Sequence, residues 1–157
     1  MKQHRTKPEQ GEETRSQLLK TARELFAERG HAGVALQDVC DRVSVTRGAL
    51  YHHFPDKDGL FRALCEDVAD GVTDHIIAAA ADQPDAWARL RAGCAAFLDA
   101  CTDRAVQRIL LTDAPSVLGW DAFREIDERH GLGLMLNTRS SLAQSRTEFS
   151  GRLATVG

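Results

Sequence analysis

The stretch Leu36–Phe61, LQDVCDRVSVTRGALYHHFPDKDGLF, decides the fold. Its apolar residues Leu36, Val39, Cys40 and Val43 recur at helical spacing, then Ser44 and Val45 make a tight turn. A second short helix opens at Thr46, whose hydroxyl can cap it, and runs to about His53. Pro55 blocks continuation and Asp56 can cap the next helix. Two short helices joined by a tight turn predict a helix-turn-helix, and the second helix is too polar on one face to be packing alone. Thr46, Arg47, Tyr51 and His52 stand where a helix lying in a DNA groove presents its side chains.

The chemistry suits that reading. Arg47 can pair with guanine O6 and N7 through two parallel hydrogen bonds, or hold a phosphate; the sequence leaves both open. Thr46 offers a short hydroxyl donor, and Gly48 lets the backbone come close to a duplex. Lys57 lies near the start of the next helix, whose N-terminus itself favours phosphate. Leu50, His53 and Phe54 are assigned to the core of this head.

Outward from this stretch, Leu18, Leu19, Ala22, Leu25 and Phe26 form one apolar stripe of a preceding helix. Thr14 with Gln17 resembles a capping box at its start, and Gly30 ends it; Gly33 keeps the connection loose. Residues 1–13 read as a flexible charged arm and 14–57 as the helix-turn-helix domain. A long fourth helix to about Ala80, a fifth carrying Trp87 to Cys101, a sixth from Ala105 to Leu111 and a seventh from Trp120 to Leu132 predict a helical body over 58–136, with a turn at Pro115 and Gly119. Residues 137–157 form a polar tail with sparse apolar residues, docked at most through Leu142 and Phe149. The fold class is therefore all-α: an N-terminal three-helix bundle with a helix-turn-helix, then a helical ligand-sensing and dimerisation body that reads as truncated.

At 157 residues and 43% apolar composition the chain suits a folded unit with a shared core. Through Lys57 it carries 10 Lys/Arg against 8 Asp/Glu, and from Asp58 onward 10 against 15. A mildly basic head on an acidic body suits a protein that meets phosphates at one end. No apolar run reaches the roughly 20 residues of a membrane span, and no secretion signal opens the chain, so a cytoplasmic protein is expected. Cys40, Cys65, Cys94 and Cys101 lack zinc-site spacing and read as small apolar residues; Cys94 and Cys101 share a helix face, which leaves thiol or metal sensing as a second reading. Asp74, His75, Asp127 and His130 sit without a nucleophile pattern or metal-site spacing, so no enzyme, cofactor or metal is expected.

The block Thr46-Arg47-Gly48-Ala49-Leu50-Tyr51-His52-His53-Phe54, followed by Lys57 and Leu60-Phe61, with Leu25-Phe26 and Gly30 upstream, resembles the tetracycline-repressor family of bacterial transcription regulators. That resemblance implies a dimeric repressor that binds double-stranded operator DNA and is released by a small-molecule effector. It also implies that Tyr51 and His52 touch phosphates or thymine methyls. An effector would lie among Phe97, Cys101, Leu110, Leu111, Trp120 and Phe123, the apolar and aromatic residues of several body helices, which equally suit the filling of a core. Three features depart from the family pattern. Ala35 stands where a capping Ser or Thr is usual, Ser44 where the turn usually has Gly, and the apolar helices of the dimer interface are short and polar here. The alternative is a helical small-molecule or thiol/metal-sensing protein whose DNA head is vestigial or does not dimerise.

Overall fold

The computed structural model describes residues 7–132, and every regular element among them is helical. Helices α1 (Lys7–Arg29), α2 (Leu36–Val43) and α3 (Arg47–His53) form the head; α4 (Lys57–Ala81) links it to the body. The body contains α5 (Ala86–Ala100), a π-helical segment Val106–Asp113 that runs directly into α6 (Ala114–Val117), and α7 (Trp120–Asp127) continued by a π-helical turn, Glu128–Leu132. The predicted tail, with Leu142 and Phe149, lies outside the described residues.

Helix α1 begins seven residues before Thr14, so part of the predicted flexible arm is helical. Pro8 falls in the first turn, where its missing N–H is not needed, and Glu9 meets the positive end of the helix dipole. Thr14 is consequently no cap: its hydroxyl donates to the Gln10 carbonyl one turn back, at 2.8 Å. The helix ends as predicted at Gly30, which has φ +72° and donates its N–H to the Phe26 carbonyl at 2.8 Å. Gly33 does not loosen the connection; a Cβ there would lie 2.5 Å from the Arg29 carbonyl, so the position is tight.

The head is held by Leu18, Ala22, Leu25 and Phe26 of α1 against Val39, Cys40, Leu50 and Phe54. The same core continues without interruption through Leu60, Phe61, Leu64, Cys65 and Val68 of α4 to Val106, Ile109, Ala114 and Ile126 of the body. Head and body therefore share one hydrophobic core rather than meeting across a linker. Helix α5 is different: it packs chiefly on α4, with Ala96 buried and Gly93 in close approach to Ile76, while Trp87 and Leu98 face outward.

Pro115 lies within α6 rather than in a turn, because it occupies the first turn of that helix. The break falls at Gly119, whose φ of +81° a side chain would strain.

Candidate nucleic-acid interface

Helix α2 starts at Ala35, which has no side-chain oxygen; only the return half of a capping box forms, Asp38 Oδ2 accepting the Ala35 N–H at 3.1 Å. It ends at Ser44 in the left-handed conformation, φ 61° and ψ 42°. The Val45 N–H donates to the Cys40 carbonyl at 3.0 Å and the Ser44 N–H to Asp41 at 3.3 Å, a Schellman closure that fixes the turn.

Helix α3 then begins at Arg47, with Thr46 as its N-cap: the Thr46 hydroxyl accepts the Ala49 N–H at 3.2 Å. Its own O–H remains able to donate to an incoming phosphate. Leu50 and Phe54 are buried, which orients the helix about its axis. The opposite face, Arg47, Gly48, Tyr51 and His52, is exposed, and Tyr51 keeps 43% of its surface accessible despite its size. His53, assigned from the sequence to the core of the head, is only half-buried, its ring lying against those of His52 and Phe54. Arg47 Nη2 donates to the Tyr51 hydroxyl at 3.1 Å, and its guanidinium lies 5.8 Å from the ring centroid. The two side chains one helical turn apart thus form a single donor-rich plate.

Asp56 caps α4 by accepting the Gly59 N–H at 2.7 Å, and Lys57 opens that helix, half-buried. Beside it the His31 ring stacks on Phe26 at 5.7 Å and meets Phe61 edge-on at 4.8 Å. Its Nε2 lies 3.1 Å from Asp58 Oδ1. Burial lowers the His31 pKa, and the Lys57 charge lowers it further, against the opposing pull of Asp58 and Asp113.

The six predicted effector residues do not converge among the described residues. Leu110 is in the common core and Phe123 packs against it, but Phe97, Leu111 and Trp120 are 39%, 51% and 64% exposed, and Cys101 closes α5 half-buried. The winding of Val106–Asp113 turns Val106, Ile109, Leu110 and Asp113 inward and leaves Leu111 outward. Trp120 covers Phe123 at 5.5 Å instead of entering a cavity. An open cleft of about 300 Å³ lies elsewhere, where α1 faces α4, and is lined mainly by charged residues including Arg15, Lys20, Arg23 and Asp67.

Burial raises the Cys40 thiol pKa and pushes that of Cys65 up to about 12, so both behave as apolar core residues. Among the described residues no group of three or more His, Cys, Asp or Glu side chains is gathered to hold a metal, and no helix is long and apolar enough to cross a membrane.

Comparison with known proteins bears directly on this geometry. Residues 18–64 match the model of the bacterial regulatory proteins of the tetR family, and 87–147 match the tetracyclin repressor-like C-terminal domain. A TetR-family transcriptional regulator from Pectobacterium atrosepticum superposes with a TM-score of 0.74 at 38% identity, over 90% of this chain and 72% of that one. The chain belongs to the tetR family.

Among tetR relatives it is 28% identical to the transposon Tn10 TetC protein of Escherichia coli, over 83% of this chain and 66% of that protein. It is 42% identical to the transcriptional repressor AcnR of Corynebacterium diphtheriae, over 35% of this chain and 29% of the repressor. The chain thus spans two thirds or less of the length of these curated relatives.

Three residues at the junction carry no signal in the sequence: His31, Arg108 and Asp113. His31 comes after a helix-ending glycine and reads as loop, and an Arg and Asp five apart do not share a face of an α-helix.

Proposed function

We propose that this tetR-family chain is a DNA-binding transcriptional regulator, a repressor that lies on a near-palindromic operator as a homodimer and is released by a small-molecule effector held in its helical body. It acts in the cytoplasm, and catalysis forms no part of this role. One observation carries the reading. Buried Leu50 and Phe54 fix the rotation of α3 so that Arg47, Gly48, Tyr51 and His52 share one open face, with an Arg–Tyr plate at its centre. Thr46 and Lys57 flank that face with a hydroxyl and an ammonium suited to phosphate. The C-terminal domain match and the naming of AcnR as a repressor support the regulatory part. Release requires the effector to bind the DNA-incompetent arrangement better than the competent one.

The test is a duplex selected from a random library with the parent protein, titrated by fluorescence anisotropy. Arg47→Ala and Tyr51→Ala should each weaken binding by about tenfold or more, as loss of a base or phosphate contact does. Their helix content and thermal transition should match the parent. Parent affinity should fall steeply with salt, and a footprint should show two half-sites about one helical turn apart. Unchanged affinity in both variants rejects the α3 assignment.

A further inference from the structure

The turn between α1 and α2 is held by a residue from the far side of the sequence. His31 lies just past the last hydrogen-bonded position of α1, so its N–H has no helical acceptor. Asp113, 82 positions later, supplies one: its Oδ2 accepts the His31 N–H at 2.7 Å. Asp113 is the charged residue that the described core buries, at 9% exposure. Arg108 Nε lies 3.4 Å from the same oxygen, and its guanidinium occupies the space beside Gly30 that a Cβ would fill. Gly30 is therefore required twice, by its positive φ and by the arginine laid against it.

The winding of the body segment explains how Arg108 reaches Asp113. In an α-helix residues five apart point roughly 140° apart. The i→i+5 winding of Val106–Asp113 brings them to nearly the same side. A second link runs parallel: Asp103, which caps this segment through the Ala105 and Val106 N–H groups, lies 3.6 Å from Arg23 of α1.

We propose that Arg108 and Asp113 form a clasp on the Gly30–His31 turn through which the body governs the position of the head. The path has named steps. Asp113 fixes the His31 backbone, the His31 ring wedges between Phe26 and Phe61, and Phe61 lies one turn from Lys57 at the start of α4. A change in the body that rewinds or shifts the π-helical segment withdraws both clasp residues together and frees the turn that carries α2 and α3. Arg108 and Asp113 are positioning residues in this scheme. The inference rests on the DNA-regulator reading for its output, but the clasp itself is separable from it.

Hydrogen exchange resolved by mass spectrometry on the full chain, free and bound to the selected duplex, tests both parts. In free protein Asp113→Ala should speed exchange at the His31 amide by about tenfold or more, the effect of losing a hydrogen bond to a charged acceptor. Asp113→Asn, which keeps an acceptor, should give an intermediate rate. Arg108→Gln tests the clasp from its other member should the alanine variant not fold. In the parent, duplex binding should slow exchange across 106–113, because coupling between two sites is reciprocal. That slowing should vanish in Asp113→Ala and shrink in Arg108→Gln while protection of α3 by DNA persists. A structural cap alone would alter the first readout and not the second. Unchanged His31 exchange in all three variants overturns the clasp, and undiminished slowing across 106–113 overturns its governing role. Failure of the parent to select any duplex defeats the DNA reading and the governing role with it, while the free-protein exchange still decides the clasp.

Discussion

At Gly48 a Cβ would meet nothing closer than the Thr46 hydroxyl oxygen at 3.9 Å, and φ does not fall in the left-handed region. Nothing among the described residues calls for a glycine there, and a glycine inside a helix costs about 1 kcal/mol relative to alanine. Its place on the exposed face beside Arg47 and Tyr51 points instead to an external surface that comes close. Gly48→Ala should therefore raise stability by about 1 kcal/mol in urea denaturation and weaken duplex binding in the same preparation. Opposite signs in the two measurements identify a residue kept for contact. A variant more stable and equally tight in binding would remove Gly48 from the interface. Gly30 is the contrasting case, since its positive φ and the Arg108 guanidinium beside it both come from within the fold.

Helix α2 carries an imperfection at each end, and both are correctable. Ala35 leaves the side-chain half of the capping box unmade, and Ser44 holds a left-handed conformation that glycine adopts without steric penalty. Ala35→Thr and Ser44→Gly should each stabilise by about 1 kcal/mol. Eight residues of helix separate the sites by about 12 Å, so the double variant should gain about 2 kcal/mol by simple addition. Thermal melts of the two single variants and the double variant check this; no gain at Ser44 would mean that its cap is unstrained. The two ends of α3 and the start of α4 were legible in the sequence because local groups make them: a hydroxyl cap at Thr46, a proline at Pro55, a carboxylate cap at Asp56. Where two local signals compete, the sequence is ambiguous. Thr14 and Gln17 have capping-box spacing, yet the helix starts at Lys7, about two turns earlier, with Pro8 and Glu9 in its first turn. The exposed face of α3 was equally readable, since burial of Leu50 and Phe54 is set by helical period alone. The body was not readable in this way. A π-helical winding leaves no 3.6-residue period, so Leu111 could not be told from Leu110, and Trp120 turns outward because Ile126 takes the inner face of α7.

On the scale of the molecule, one core runs from α1 to α7, and the His31 imidazole sits where head, α4 and body meet. That position makes the folded protein sensitive to mild acid. Burial first, and then Lys57, hold the His31 pKa below its usual 6.5, outweighing Asp58 and Asp113, so the folded state takes up a proton less readily than the unfolded chain does. Stability from this group is fully present above pH 6.5 and is lost as the pH falls from there toward the folded-state value. Each proton taken up in that interval goes preferentially to the unfolded state. The transition temperature should therefore drop between pH 7.5 and about 5.5. In His31→Gln the drop should be shallower, even if the variant is less stable throughout because the ring no longer packs between Phe26 and Phe61. Calorimetric scans of the two proteins across that interval decide the matter: parallel slopes in the parent and His31→Gln would show that the junction does not titrate, and that acid acts on the fold elsewhere.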